Sequence, residues 1–380
     1  MSDVREPEAH ERDRLTVVLD EVGERSTTSV GRYSAEMARA LVATAPEGLE
    51  VGALSARVSD AREARIREAL PGLAELRQTA VPARELREAW LHTITTIPVH
   101  GLVHATSLMA PLTREREPGD QVTVTVHGLQ SMSDRSERKQ RWFDRALKRA
   151  LHRADGIVVP STAVAEDLSL LADVGDRVRV VHPAPAAALL RAANSGAAAA
   201  SRLALPSEYV LAITAPGARG QAERLIETVA SDAMPDARVV VAGPVQWGET
   251  TLAALAVEAG IAPGRLVMLG ELTDAELATA YQRALAHLHV AEQDALGLTL
   301  LEAAALGTPT VHPATRTLTE IAGDSSVPVE GGPHEIAAAL AGLLADEEER
   351  TRLRLHAQDR ARAFTWEAAA LQVWRLHAEL

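Results

Sequence analysis

The chain has 380 residues, of which 47% are hydrophobic, so it is too long for a single core and long enough for two domains. A formal net charge of −13 argues against general binding of nucleic acid. The sequence contains no cysteine, which excludes disulfides, thiolate nucleophiles and cysteine-based metal sites. The polar start and the lack of an apolar run of ~18 residues predict a cytoplasmic protein without a membrane span.

The first half of the chain alternates short apolar runs with longer helical patterns. Residues 1–14 are charged and polar and are predicted to form a disordered tail, and the alternation covers residues 15–185. The runs are continuous rather than alternating in polarity, which is typical of strands buried on both faces of a parallel sheet. The predicted strands occupy residues 15–20, 51–54, 102–105, 122–127, 156–160 and 178–182.

The second half repeats this organisation after a break. Residues 186–207 are rich in Ala, Ser and Pro and are predicted to form a linker. Strand and helix patterns alternate again over residues 208–364, and a final helix is predicted at residues 365–380. The sequence therefore predicts two doubly wound α/β domains that face a cleft, with ligands at the carboxyl ends of the strands.

One stretch, from Arg135 to Arg153, is basic within this acidic chain. Its apolar residues recur at helical spacing, which favours a surface helix that packs them on the sheet and leaves a solvated basic face. The alternative is a weak contact of the basic face with an anionic membrane or a phosphate-bearing acceptor.

The segment from Ala291 to Pro309 reads AEQDALGLTLLEAAALGTP and follows a predicted strand. Gly297 precedes a run of strong helix formers, and Gly307 ends that helix. Free amides and the helix dipole at such a start form a site for anions, typically phosphate. Glu302, one turn further along, can accept two hydroxyl hydrogen bonds of the kind a ribose offers. Taken alone, the segment is equally compatible with an ordinary buried helix after a glycine turn.

From Asp294 onward this segment resembles the E-G-F-G-L-P-x-x-E-A-M-A-x-G-x-P stretch of the family 4 glycosyltransferases. Over about residues 15–380, further stretches match that family in order and spacing: SVGRY from Ser29, VTVH ending at His127, VVVAG, VMLGE and FTW. The resemblance implies the GT-B fold, with two Rossmann-like domains facing a cleft and a last helix that crosses back to the first domain. It also implies retaining transfer of a hexose-type sugar from a nucleoside diphosphate sugar to a glycan, lipid or small-molecule acceptor, without a cofactor or metal.

The resemblance assigns the donor site to residues of the second half. Glu302 would bind the ribose, and Asp294 would hold hydroxyls of the donor sugar. The amides of Gly297 and Leu298 would bind the diphosphate, and Arg219 would offer it a guanidinium fork.

Further roles follow from the same resemblance. A loop around Gly31 would cover the phosphates from the first domain, and His127 would lie near the reacting carbon and the acceptor. Met268, Leu269 and Glu271 would line the pocket for the base. No HExxH motif occurs among the thirteen histidines, so the sequence itself also predicts no metal site.

Two positions differ from the family pattern. Asp294 replaces the leading glutamate, and a misplacement of ~1 Å at a reacting centre can cost about a hundredfold in rate. Gly220 stands where the family has a lysine, so one cation for the diphosphate is lost. An active transferase is the leading interpretation. A non-catalytic binding or scaffold partner in glycan assembly is the alternative, and an epimerase of the same fold agrees less well with residues 298–309.

Overall fold

The computed structural model describes residues 14–24, 28–94, 99–112, 117–129, 137–193, 202–216 and 218–380. These residues form two compact units, of which the first contains residues up to 182 together with residues 366–380, and the second contains residues 183–365. Residues 1–13 of the predicted tail lie outside the described residues, and Arg14 is already the first residue of a strand.

The first unit is built on a seven-stranded sheet in the order β3-β2-β1-β4-β5-β6-β7, with all neighbours parallel. The strands are β1 (Arg14–Val18), β2 (Glu50–Ser55), β3 (Leu76–Gln78), β4 (Leu102–Ala105), β5 (Gln121–Thr125), β6 (Gly156–Val159) and β7 (Val178–Val180). The helices between them are α1 (Ser29–Ala43), α2 (Asp60–Ala69), α3 (Ala83–Leu91), α4 (Glu137–Arg153) and α5 (Thr162–Leu171). The direction of winding reverses between β1 and β4, and ligands of such sheets bind at the carboxyl ends of strands at this point.

Local sequence explains where these elements begin. Strand β6 reads GIVV and is buried throughout, because helices cover both faces of the sheet. Helices α1, α2 and α5 start at residues whose hydroxyl accepts a backbone N–H in the first turn, namely Thr28, Ser59 and Ser161. Such caps satisfy amides that have no partner within the helix.

The second unit repeats the plan with a six-stranded parallel sheet in the order β12-β9-β8-β13-β14-β15. Its strands are β8 (Val210–Ile213), β9 (Val239–Ala242), β12 (Leu266–Gly270), β13 (Ala286–Leu288), β14 (Thr310–Pro313) and β15 (Val327–Val329), and β10 (Gln246–Trp247) pairs with β11 (Thr250–Thr251) in a short hairpin. Its helices are α6 (Ala187–Ala192), α7 (Arg219–Ala230), α8 (Leu252–Glu258), α9 (Asp274–Arg283), α10 (Leu298–Ala305), α11 (Arg316–Ala322), α12 (Pro333–Ala345) and α13 (Glu347–Ala361). The predicted pair of doubly wound parallel sheets is confirmed.

The segment predicted as a linker, residues 186–207, contains helix α6. Leu189 of this helix is fully buried and packs with Tyr209 and Tyr281 in a core cluster of the second unit. Residues 194–201 lie outside the described residues. The start of the segment is therefore part of the second unit's core.

The last helix, α14 (Trp366–Glu379), belongs to the first unit, as the sequence predicts. His377 Nε2 lies 3.1 Å from Thr123 Oγ1 on β5, and the Trp374 indole donates to Thr44 Oγ1 at the end of α1. His377 thus holds the second half of α14 to the sheet, and Trp374 holds it to the end of α1. No helix in the described part of the chain is long and apolar enough to cross a membrane.

Candidate functional site

The start of α10 is the centre of the predicted donor site. Gly297 precedes this helix with a φ of +57°, in the left-handed region that favours glycine. A Cβ at Gly297 would lie 2.7 Å from Ile321 Cδ1, so the Ile321 side chain would have to shift to admit it. The carbonyl of Gly297 accepts the N–H groups of Leu300 and Leu301 and closes the first turn. In the described residues, the Leu298 amide has no hydrogen-bond acceptor, as expected for the first helical residue.

Asp294 folds back onto the start of α10. Its Oδ1 accepts the N–H of Leu296 at 3.0 Å and the N–H of Gly297 at 2.9 Å. The amide of Gly297, which the sequence assigned to the diphosphate, is therefore bound to a carboxylate of the protein itself. Both of these backbone hydrogen bonds go to Oδ1, and neither involves Oδ2 of Asp294.

His289, which the sequence analysis missed, links Asp294 to the helix. Its Nε2 lies 3.6 Å from Asp294 Oδ2, and its Nδ1 lies 3.1 Å from Thr299 Oγ1 in the first turn of α10. Burial lowers the pKa of His289, and the nearby Asp294 carboxylate opposes that effect. The sequence did carry a signal for His289. It lies two residues after His287 at the end of an apolar strand, and an aspartate follows five residues later.

Glu302 lies in the middle of α10 and is only 2% exposed. Glutamate is rarely so buried, and the neighbouring residues of the helix are mostly apolar. Leu300 and Ala304 lie on the opposite side of the helix from Glu302, because two residues correspond to about 200° of rotation. The structure therefore brings Glu302 and the Gly297 turn together on one short helix.

Arg219 is the first residue of α7, which follows β8. Its Nε donates to Glu223 Oε1 at 2.7 Å, and the Arg219 side chain is 52% exposed. Exposed pairs of this kind contribute only about 0.3–0.5 kcal/mol, so a diphosphate could replace Glu223 at little cost. Gln221 donates to the Ile213 carbonyl and holds the start of α7 at the carboxyl end of β8. Residue 217 lies outside the described residues.

The residues of the predicted base pocket lie on and after edge strand β12. Met268 packs against the core cluster that contains Val241, whereas Leu269 packs against the cluster that contains Tyr209. The two side chains therefore face opposite sides of β12, whose register is irregular between Met268 and Gly270. Glu271 is exposed beyond the end of the strand. A shared role of these three residues around a base stays a prediction.

The predicted loop around Gly31 also requires a correction. Gly31 lies in the first turn of α1, is buried, and donates its N–H to Thr28 Oγ1 at 3.0 Å. A Cβ on Gly31 would lie 2.8 Å from the Glu21 carbonyl oxygen. This glycine therefore allows the helix start to pack against the preceding loop and is not itself part of a loop over phosphates. Residues 25–27 of that loop lie outside the described residues.

His127 follows β5 in the first unit and is half-buried. Its Nε2–H donates to the Thr106 carbonyl at 2.8 Å, and its ring meets the Tyr33 ring edge-on with centroids 4.7 Å apart. Burial lowers the pKa of His127 to about 4, so the imidazole is neutral at pH 7. Its Nδ1 has no hydrogen-bond partner in the described residues and carries a lone pair that can accept a hydroxyl.

A second polar cluster at the switch point of the first sheet was not predicted. Asp20, just beyond β1, accepts Arg87 Nη2 at 2.9 Å on Oδ1 and Ser107 Oγ at 2.7 Å on Oδ2. Asp20 is 7% exposed, and its charge raises the pKa of His127 against the effect of burial. The signal for this cluster in the sequence was the charged Asp20 at the end of the first apolar run. The carboxyl ends of β1, β4 and β5 thus present hydroxyl, carboxylate and imidazole groups suited to a hydroxyl-bearing ligand.

The described residues contain no group of three His, Asp or Glu side chains that could hold a metal ion. Arg135 and Ser136, the first two residues of the predicted basic stretch, lie outside the described residues. The remainder of that stretch is helix α4.

Curated relatives match part of the chain. A D-inositol 3-phosphate glycosyltransferase of Corynebacterium glutamicum is 30% identical over 239 residues, which cover 59% of this chain and 57% of that protein. The enzyme of the same name from Corynebacterium efficiens is 32% identical over 219 residues, or 54% of this chain and 51% of that protein. The chain thus matches little more than half the length of these relatives.

Solved structures match almost the whole chain in fold. Sucrose-phosphate synthase from Thermosynechococcus elongatus is 18% identical, with a TM-score of 0.74 over 96% of this chain and 98% of that one. HepE from Anabaena, solved with UDP and glucose, is 15% identical, with a TM-score of 0.72 over 96% of this chain and all of that one. At these identities the likeness establishes the fold alone, which is that of GT-B glycosyltransferases.

Two family models match the two halves of the chain. The model described as Glycosyltransferase Family 4 matches residues 30–184, and the model described as Glycosyl transferase-like matches residues 219–374. The first match covers most of the first unit, and the second contains α7, α10 and the residues of the predicted donor site. Together with the relatives and the fold, these matches show that the chain is a glycosyltransferase, and its residues 30–184 match family 4.

Proposed function

We propose that this protein transfers a hexose-type sugar, with retention of configuration, from a nucleoside diphosphate sugar to a hydroxyl group of an acceptor. The observation that carries the proposal is the arrangement at α10, where the Leu298 amide, the Gly297 turn and the buried Glu302 lie on one short helix. A helix start binds phosphate, and a carboxylate one turn further on accepts two ribose hydroxyls.

The donor's diphosphate would meet two sources of positive charge in the second unit. The start of α10 supplies its dipole and the Leu298 amide, and Arg219 supplies a guanidinium after leaving Glu223. As the acceptor oxygen bonds to the anomeric carbon, the bond to the diphosphate oxygen breaks and the nucleoside diphosphate leaves. These groups would stabilise the charge on the leaving diphosphate, so we propose a transfer that needs no bound metal.

Asp294 would contribute through its second oxygen. Because Oδ1 is held by the amides of Leu296 and Gly297, Oδ2 is the oxygen that can accept a hydroxyl of the donor sugar. His289 approaches the same oxygen and would keep it oriented. The shorter side chain is thus fixed through Oδ1, and Oδ2 is left to meet the sugar.

For the acceptor, we propose a hydroxyl-bearing ligand at the polar cluster of the first unit, formed by Asp20, Ser107 and His127. The Nδ1 lone pair of His127 would accept the attacking hydroxyl. The relatives are named as transferases to D-inositol 3-phosphate, so a cyclic polyol and its phosphate are the first acceptors to test. Glycans and lipids with free hydroxyls form the second set.

A thermal-shift screen of UDP-, GDP-, ADP- and TDP-sugars tests the donor assignment, beginning with UDP-glucose because HepE binds it. A ligand at a hundred times its dissociation constant stabilises the native state by about 2.7 kcal/mol, which is readily measured. We expect Glu302→Gln and Arg219→Ala to lose most of this stabilisation. Arg362→Ala, an exposed arginine just after α13 that pairs with Asp359 of that helix, is the matched control and should keep it.

Donor hydrolysis without acceptor, followed by transfer to the polyols, tests the reaction itself. Hydrolysis that disappears in Glu302→Gln supports the proposal. Donor binding without hydrolysis or transfer would mean that the protein is a non-catalytic binding member of the family. No stabilisation by any nucleotide sugar would refute the donor site.

A further inference from the structure

We infer that the outer face of α4, together with the exposed end of α5, docks on an anionic lipid bilayer. Helix α4 has seven Lys and Arg residues and two acidic residues among its 17, whereas the whole chain has a net charge of −13. This concentration of positive charge has no role in the proposed donor or acceptor sites. It therefore requires a separate explanation.

The basic residues form a continuous stripe. Steps of three, four, three and four residues place them on one side of the helix over about 21 Å. The stripe consists of Arg138, Arg141, Arg145, Lys148 and His152. The opposite side is buried against the sheet and consists of Phe143, Ala146, Leu147, Ala150 and Leu151. The stripe thus points directly away from the core of the first unit.

Part of the stripe is neutralised within the protein and part is not. Arg138 lies 3.5 Å from Glu88, and Arg141 lies 3.1 Å from Glu137 in the preceding turn. Arg145 and Lys148 are exposed and have no acidic partner in the described residues. The central part of the stripe therefore carries cations that are available to an external anion.

Two exposed leucines lie at the end of α5, the helix that follows α4 in the chain. Leu170 is 84% exposed and Leu171 is 58% exposed, at the end of α5. Helices α4 and α5 connect successive neighbouring strands of the parallel sheet, so right-handed connections place them side by side on one face with their ends at one edge. Arg177, in the turn after α5, donates to the carbonyls of Leu151 and Ala154 at 2.9 Å and holds this turn to the end of α4.

The leucines decide the kind of partner. A soluble polyanion would use the cations alone and would gain nothing from exposed leucine side chains. An anionic bilayer offers phosphate headgroups for the cations and an apolar layer just beneath them for the leucines. The bilayer is therefore the partner that fits both the exposed cations of α4 and the exposed leucines at the end of α5.

Sedimentation of the full chain with vesicles tests this inference. We expect binding to phosphatidylcholine vesicles that contain phosphatidylglycerol, no binding to pure phosphatidylcholine, and loss of binding at high salt. Arg145→Gln/Lys148→Gln should weaken binding about thirtyfold, given the attraction of each cation to an anionic leaflet. Arg352→Gln/Arg362→Gln, two exposed arginines of the second unit, is the matched control and should bind normally.

The apolar part is tested by Leu170→Ser/Leu171→Ser, which should weaken vesicle binding at least tenfold without changing the thermal stability. Leu355→Ser, at an equally exposed leucine of α13, is its control. Equal binding to neutral vesicles would overturn the inference. So would unchanged vesicle binding of the double serine variant, because the protein would then be recognising anions in general.

Discussion

Replacement of Asp294 is the change most directly linked to the departure of this chain from its family. Asp294→Ala removes the oxygen that accepts the N–H groups of Leu296 and Gly297 and leaves the turn before α10 without an acceptor. It also removes the carboxylate beside the buried His289. Asp294→Asn keeps one oxygen that can accept both amides and removes only the charge.

The magnitude follows from these contacts. A buried amide left without its partner costs about 1–3 kcal/mol, and the Asp294 side chain, only 18% exposed, accepts two amides just before α10. We therefore expect Asp294→Ala to lower the free energy of unfolding by about 1–2 kcal/mol. Asp294→Asn should lose less than about 1 kcal/mol, because the side-chain oxygen of asparagine can accept the same two N–H groups.

Urea denaturation followed by circular dichroism measures this difference. Once a donor is identified, both variants should also lose turnover, since neither keeps a charged Oδ2 for the sugar hydroxyl. If Asp294→Ala unfolds like the unmodified protein, or if Asp294→Asn is the less stable of the two, the hydrogen bonds from Leu296 and Gly297 to Asp294 do not stabilise the fold. A destabilised Asp294→Ala with unchanged turnover would show that Asp294 is a structural cap alone.

Two further predictions concern stability. Gly243 has a φ of +106°, and in Gly243→Ala the new Cβ would lie 2.3 Å from the Thr214 carbonyl oxygen. We therefore expect this variant to lose at least about 3 kcal/mol of its free energy of unfolding. Gly264→Ala, at a φ of +82° with no atom within 4 Å of the new Cβ, is the control and should lose about 1 kcal/mol. Burial lowers the pKa of His377 to about 4, so the unfolded chain takes up a proton below about pH 6.5 while the native histidine stays neutral. The contribution of neutral His377 to the free energy of unfolding is therefore complete above pH 6.5 and falls by about 2 kcal/mol by pH 5. His377→Gln should flatten this part of the stability profile, and identical profiles would contradict the assignment.

The fold was predictable because its main signal is strong in the sequence. Parallel strands covered on both faces read as short continuous apolar runs, such as GIVV in β6 and VVVA in β9. Helix ends were also marked, since Gly297 before α10 needs a left-handed conformation. The predicted linker was less accurate because Leu189 is a single apolar anchor in an alanine-rich stretch, and only packing against Tyr209 shows that it belongs to the core.

The site was predictable only where one short segment carries it. Gly297 and Glu302 lie on one helix, so their spacing fixes their relation. The contact between His289 and Asp294 depends on the path of the loop after β13, which no local pattern specifies. The family resemblance placed Gly31 in a loop, whereas the hydroxyl of Thr28 starts helix α1 before it.

The two departures from the family pattern both lower the positive electrostatic potential at the predicted diphosphate site. Gly220 removes a cation next to Arg219, and Asp294 places a carboxylate on the positive end of the α10 dipole. Both reduce the positive potential available to a diphosphate, so donor affinity should depend strongly on Arg219 and on ionic strength. Restoring the charge with Gly220→Lys should therefore tighten donor binding.

The size of this gain can be separated from a simple gain in stability. Gly220 is the second residue of α7, where lysine is a better helix former than glycine by about 0.5–1 kcal/mol. Gly342→Lys in α12, where no atom lies within 4 Å of an added Cβ, gives the same helical gain away from the donor site. We expect Gly220→Lys to bind the donor at least fivefold more tightly by calorimetry, and Gly342→Lys to bind it unchanged. Equal affinities in both variants would show that the diphosphate does not approach the start of α7, and the role of Arg219 would have to be abandoned with it.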